Sequence, residues 1–283
     1  GMVLILSYML TETDSAFVVK GKFRTAELKS KFYKDKFNKC VLFPLALMVF
    51  AFGIGVIVQK DLGSSLILAA ICFICFMSTP RDYYKKYKKL VWIALAVAVI
   101  ILGFLITAVL QGYQLQRIDS WLKPLKIENI YDSSWQLVNS LIAFTDGGIF
   151  GLGLGNSIQK YDYIPEAHND FIGAIIYEEL GIFGLALMII PTAIIIFRLL
   201  KYADQIQNNK SRVILIGIAS YFMLHLFVNL GGVSGLIPMT GVPLLLVSSG
   251  GSSTIAALIA IGIAQAIISK FNKEQLEKTD TQL

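Results

Sequence analysis

Four carboxylates are placed as if for chemistry. Asp170 directly precedes a long apolar run that opens at Phe171, Glu166 lies four residues before it, and Glu178 and Glu179 lie about two turns inside the run. If 165–170 is helical, Glu166 and Asp170 share a face. Asp170 is placed either to work at the mouth of the run or to cap it. Glu178 and Glu179 are costlier, because an Asp at the centre of a membrane helix carries about 2.5–3.5 kcal/mol on insertion scales. The pair therefore calls for a polar cavity, a buried partner or protonation. Successive helical residues point about 100° apart, so the two must face different sides.

Around these acids lie polar groups of other kinds. Upstream come the glycines 147, 148, 151, 153 and 155, then Asn156-Ser157-Ile158-Gln159-Lys160 and Tyr163-Ile164-Pro165-Glu166-Ala167-His168. The glycine run lacks the Gly-Lys-Ser/Thr ending of a nucleotide loop and follows no strand, so it reads as tight turns and close backbone packing. Without a nucleotide site, a synthetic reaction here must draw its energy from an activated substrate. Downstream, 229–253 holds six glycines, Pro238, Pro243 and no charge, ending in Ser248-Ser249-Gly250-Gly251-Ser252-Ser253. Hydroxyls and N–H groups at a helix N-terminus suit an anion such as phosphate, or simply cap a re-entrant turn. His225 reads as a hydrogen-bonded interior histidine. Cys72 and Cys75 form a C-x-x-C by spelling only, inside an apolar helix.

The elements that must position these residues are membrane spans. Of 283 residues 55% are hydrophobic and 16% charged, with a mean hydropathy of +0.66, against about a quarter charged in soluble domains. That excludes a disordered chain, a disulfide scaffold and most soluble enzymes. A pI near 9.1 would suggest nucleic acid, but the basic residues sit in blocks between apolar runs. With about 17–25 residues needed to cross, the expected spans are Val41–Val58, Leu66–Thr79 (lengthened by Ser64 and Ser65), Val91–Leu110, Ile172–Phe197, Val213–Leu230 and Thr254–Ile268. Met2–Leu10 is an apolar stub behind Gly1, which suggests the later part of a longer chain. The reading is an all-α polytopic membrane protein: six complete transmembrane helices, a partial N-terminal one, and one membrane domain over 1–283.

Charge placement sets the orientation. Segments 11–40, 80–90, 198–212 and 270–283 hold 20 of the 25 Lys and Arg residues, which places them in the cytoplasm by the positive-inside rule. With 9 acids there, that side carries +11; the other 5 basic and 10 acidic residues leave −5. Segment 11–40 becomes a basic loop against the inner leaflet. Segment 111–171 becomes a large extracellular loop, too long for a plain connection. Lys60-Asp61-Leu62-Gly63 closes an outer hairpin between two short spans.

At these residues the sequence resembles the shape, elongation, division and sporulation family, the SEDS proteins. The likeness starts at Gln59-Lys60-Asp61-Leu62-Gly63-Ser64-Ser65 and runs to about 270. It is densest over Trp135–Phe144, over Gly147–Glu179 (G-L-G-N-S-I-Q-K-Y-D-Y-I-P-E-A-H-N-D-F-I, then E-E-L-G) and over Asn229–Ser253. Pro165-Glu166-Ala167-His168 favours the division branch over the elongation branch. Family members have about ten spans. This chain departs from the family pattern at Lys60, Ser134-Trp135, Asn169, Leu245 and Ser249.

The resemblance implies a peptidoglycan glycosyltransferase in the bacterial cell membrane. Its substrate would be Lipid II, its partners a class B penicillin-binding protein and other division proteins, and its active site would face outward. Asp170 matches the family's catalytic aspartate, as general base on the acceptor's 4-hydroxyl. Because pyrophosphate leaves readily, a second acid is unnecessary; cations replace it. The candidates for substrate binding are Arg117, Gln159, Lys160, Glu166, His168, Ser252 and Ser253, with Asp61, Glu178 and Glu179 structural or cavity-lining. No cofactor is required, though Mg or Mn is compatible with the chemistry. The rival readings are a flippase or transporter for a lipid-linked sugar and a non-catalytic division scaffold.

Overall fold

The computed structural model describes residues 2–11, 34–35, 37–38, 42–55, 61–79, 119–126, 134–161, 163–165 and 167–280. Seven helices run through them: α1 (Met2–Thr11), α2 (Phe43–Gly53), α3 (Leu62–Ser78), α4 (Trp135–Gly147), α5 (Ile172–Gln205), α6 (Asn209–Val233) and α7 (Gly251–Asp280). No strand occurs among the described residues.

Three helices are long and apolar enough to cross a membrane: α5 with 34 residues, α6 with 25 and α7 with 30. They cover the expected spans that begin at Ile172, Val213 and Thr254. The N-terminal stub is α1, with 10 residues. The first expected span appears as the 11 residues of α2. The second is α3, whose 17 residues take in Ser64 and Ser65. The span expected over Val91–Leu110 lies outside the described residues, as do most of segments 11–40 and 80–90.

The chain divides into two compact units. The first holds 1–80, 195–221 and 259–283. Within it α1 packs on α2 and α3 around Leu6, Leu10, Ile67, Ile71 and Cys75, all buried. Gly217 of α6 lets Val3 and Cys75 approach: a Cβ there would lie 2.9 Å from the Cys75 sulfur. Asp61 caps α3, accepting from the Ser64 N–H at 3.0 Å, the ordinary way to satisfy an orphaned donor of the first turn.

The second unit, 81–194 and 222–258, carries Asp170, Glu178, Glu179 and the glycine-rich segments on either side of them in sequence. α4 buries Leu137, Asn139, Ser140 and Ala143. The Ser140 hydroxyl donates to the Val233 carbonyl at 2.7 Å, tying α4 to the end of α6. The rings of Phe144 and Tyr177 lie 4.8 Å apart, joining α4 to the start of α5.

Candidate active site

The two intramembrane glutamates are accommodated by a break in their own helix. At Gly181 the α5 backbone swings to φ +60, which takes the donors of the next turn away from the carbonyls of Glu178 and Glu179. Neighbouring backbone replaces them. The N–H of Leu152 donates to the Glu178 carbonyl and that of Gly153 to the Glu179 carbonyl, each at 2.9 Å. In return the Ile182 N–H donates to Ile149 at 3.0 Å. Irregular backbone in a membrane protein survives only when its polar groups are satisfied in this way. The approach is close enough to require glycine on both sides. A Cβ on Gly151 would strike the Glu179 carbonyl, and one on Gly181 the Ile149 carbonyl.

The side chains of the pair both find partners in the loop 155–160. Glu178 is fully buried and accepts a short hydrogen bond from the Ser157 hydroxyl. The Ile158 N–H donates to it at 2.9 Å and the Gln159 N–H at 3.4 Å. Glu179 pairs with Lys160 at 2.9 Å, and Lys160 also donates to the Gly155 carbonyl. Of the three options open for these acids, Glu178 takes the buried partner, Ser157, while Glu179 pairs with a partly exposed lysine. Gln159 is itself buried, and among the described residues its Oε1 accepts no hydrogen bond.

Asp170 stands two residues before α5, on a turn gripped by the loop between α6 and α7. Beneath it Ile164, Phe171, Ile175 and Val233 form a buried cluster, with Phe144, Ala167, Leu230 and Met239 against its edge. Above that cluster three consecutive residues are held. The His168 carbonyl accepts from the Ser249 N–H at 3.1 Å. The Asn169 carbonyl accepts from the Ser248 hydroxyl at 2.8 Å. The Asp170 carbonyl accepts from the Asn229 amide at 2.7 Å. That same amide donates to Val242 at 2.8 Å, so one buried side chain of α6 fixes both the aspartate's backbone and the turn facing it. Nδ1 of His225, one turn earlier, lies 3.2 Å from the Pro243 carbonyl, as expected of an interior histidine.

The Asp170 side chain opens into a cleft of about 250 Å³. Ser120, Trp121, Ser134, Gln136 and Leu137 line one part of it, and the run Pro238–Gly241 another. Among the described residues of this lining, Asp170 is the charged one. The segment carrying Trp121 is fixed in place: the Ser134 hydroxyl donates to the Ser120 carbonyl at 3.0 Å, and the Trp121 indole N–H to Gly235 at 2.8 Å.

The expected companions of Asp170 fall elsewhere. Lys160 and Gln159 belong to the loop over Glu178 and Glu179. His168 and Ser252 are exposed and outside the cleft lining, as is the half-buried Ser253; the Ser253 hydroxyl donates to the Gly250 carbonyl at 2.8 Å in the first turn of α7. Arg117 and Glu166 lie outside the described residues. Trp121, Gln136, Thr240 and Gly241, which line the cleft, were not singled out from sequence. Trp121 closes an aromatic stretch and Gly241 belongs to the glycine-rich final loop, but nothing local links either to Asp170. Among the described residues no three His, Cys, Asp or Glu side chains gather as metal ligands would.

Residues 17–274 match the family described as cell cycle protein, FtsW/RodA/SpoVE. The chain belongs to this family. It is 37% identical over 248 residues to the probable peptidoglycan glycosyltransferase FtsW of Bacillus subtilis, covering 87% of this chain and 60% of that protein. With stage V sporulation protein E of the same organism the identity is 32% over 240 residues, 83% of this chain and 63% of that one. The chain thus spans about three fifths of the length of these relatives. Its fold matches a structure titled for the coordination of polymerization and crosslinking by a peptidoglycan synthase complex, at a TM-score of 0.66 and 21% identity, over 96% of this chain and 68% of that one. It also matches a mutant of the rod shape determining protein RodA of Thermus thermophilus, at 0.52 and 20%, over 93% and 63%. Two of this chain's departures from the SEDS pattern meet each other: the Ser249 hydroxyl donates to Asn169 Oδ1 at 2.7 Å.

Proposed function

We propose that the protein polymerises Lipid II into glycan strands at the outer membrane face, with Asp170 as general base, during cell division. The observation that carries this reading is the Asp170 carboxylate, held at the start of a span on the wall of a polar cleft. An inverting displacement needs one such group. The acceptor 4-hydroxyl gives its proton to Asp170, its oxygen bonds to the donor's anomeric carbon, and the bond from that carbon to the pyrophosphate oxygen breaks. The electron pair leaves with undecaprenyl pyrophosphate. Base catalysis of this kind contributes about 10²–10⁴ in rate.

The naming of relatives as peptidoglycan glycosyltransferases supports the reaction class. The likeness to a peptidoglycan synthase complex supports pairing with a crosslinking enzyme of the class B penicillin-binding type. Purified full-length protein given labelled Lipid II tests the proposal against its rivals. Polymer formation supports the transferase; movement of Lipid II across vesicles without polymer supports a transporter instead.

A further inference from the structure

α5 is longer than a membrane requires. Its 34 residues make about 50 Å of helix at 1.5 Å each, against roughly 30 Å of hydrocarbon. Exposure divides the helix at its break. No residue from Phe171 to Gly181 is exposed, because α4 and the loop after it cover those turns. Directly beyond the break Ile182 and Phe183 are exposed, followed by Leu187, Ile190 and Ile194. The uncharged stretch 180–197 has 18 residues, about 27 Å of helix, so a crossing that starts at Gly181 ends just before Arg198.

The loop 148–155 sits at that same level. Its Ile149 carbonyl and its Leu152 and Gly153 N–H groups are bonded to α5 between Glu178 and Ile182. The Phe150 ring lies 6.4 Å from that of Phe183. Ile149, Phe150, Leu152 and Leu154 are exposed, Phe150 by 79% and Leu154 by 76%, and no charge occurs between Asp146 and Lys160. A contiguous apolar patch on a protein surface marks a place that is covered in use. Two constraints fix where this one lies. Irregular backbone does not face lipid inside the hydrocarbon, so the loop lies no deeper than its edge. Its large apolar side chains continue the exposed apolar side of α5, a helix long and apolar enough to cross, so the loop does not stand clear in water either.

We infer that the loop 148–155 is a lipid-binding collar: Ile149, Phe150, Leu152 and Leu154 enter the membrane interface beside Phe183, and the hydrocarbon begins at Gly181 rather than at Ile172. The first turns of α5 then form a short stalk outside the hydrocarbon. Glu178 and Glu179, inside the apolar run by sequence, lie at its edge. Asp170 is raised from that edge by the nine residues Ile172–Leu180, about 14 Å of helix. Arg198 and Lys201 follow the far end, which makes the leaflet the outer one by the positive-inside rule. The collar is independent of the reaction proposed above.

The test places a nitroxide on a single added cysteine, Phe150→Cys or Leu154→Cys, with Leu187→Cys as the deep reference and His168→Cys as the aqueous one. The full-length protein carries Cys40→Ala, and Cys72 and Cys75 are buried; the background without an added cysteine is the labelling blank. In vesicles of phosphatidylcholine and phosphatidylglycerol, relaxation by oxygen, which gathers in the bilayer, is compared with relaxation by a nickel chelate confined to water. Labels at 150 and 154 should show an oxygen-to-nickel ratio several-fold above that at 168 and below that at 187. A ratio equal to that at 168 puts the loop in water and overturns the collar. A ratio as high as at 187 puts it inside the hydrocarbon and overturns the boundary at Gly181. Poor access to both reagents means that protein covers the patch, and overturns the collar as well. Loss of oxygen access on adding the crosslinking partner does the same, by making the patch a protein interface.

Discussion

Gly241 faces the Asp170 carboxylate so closely that a Cβ built on it would lie 3.3 Å from Oδ2. The glycine also has φ +69, in the left-handed region that costs other residues roughly 1–2 kcal/mol. Gly241→Ala should therefore strain the turn and press on the proposed base. A displacement of even about 1 Å at a catalytic group costs on the order of 10² in rate. The expected result is a ten- to hundredfold fall in polymerisation with a thermal midpoint lowered only a few degrees, measured side by side on purified protein.

Asn229 should couple stability to activity. Its buried amide serves two backbone carbonyls, those of Asp170 and Val242. Asn229→Leu removes both bonds at similar volume and leaves buried acceptors unsatisfied, at about 1–3 kcal/mol each. Thermal unfolding in detergent should show a clear drop, and polymerisation should fall with it.

Lys160 offers a contrast, because its ammonium is engaged by Glu179 and Gly155 rather than by the Asp170 cleft. Partly exposed ion pairs contribute about 0–1 kcal/mol. Lys160→Ala should leave both stability and polymerisation within a few-fold of wild type. A large loss of rate at unchanged stability would place this amine on the substrate after all.

Glu178 should matter far more to the fold. It accepts from Ser157, Ile158 and Gln159, so Glu178→Ala strands buried donors and opens a cavity. Limited proteolysis should then cut within 150–160 in the variant and spare that loop in the wild type.

Much of the membrane frame is legible in the sequence because its signal is local. Twenty apolar residues in a row between basic blocks read as a span wherever they occur, and α5, α6 and α7 match that reading. The glycines of 147–155 are equally legible as close-packing positions, and Gly151 behaves so against Glu179. The buried-partner option for Glu178 and Glu179 is open in sequence too, though the identity of the partners is not. Ser157 and Lys160 reach them only because the Gly181 break lets the loop fold back. The Asp170 cleft is the least legible part. Trp121, Gln136 and Gly241 come from segments separated by up to a hundred residues or more, joined by backbone-directed bonds that any polar residue type can make. Serine and lysine in the neighbouring sequence are the more conspicuous candidates, yet they are bound elsewhere.

The central claim is that Asp170 removes a proton from the acceptor hydroxyl. Its most direct test is polymerisation of labelled Lipid II by purified full-length protein with Asp170→Asn, which keeps shape and removes basicity. The account predicts loss of glycan polymer by at least about 10², with unchanged expression and thermal midpoint. Polymer formation at the wild-type rate by that variant would contradict it.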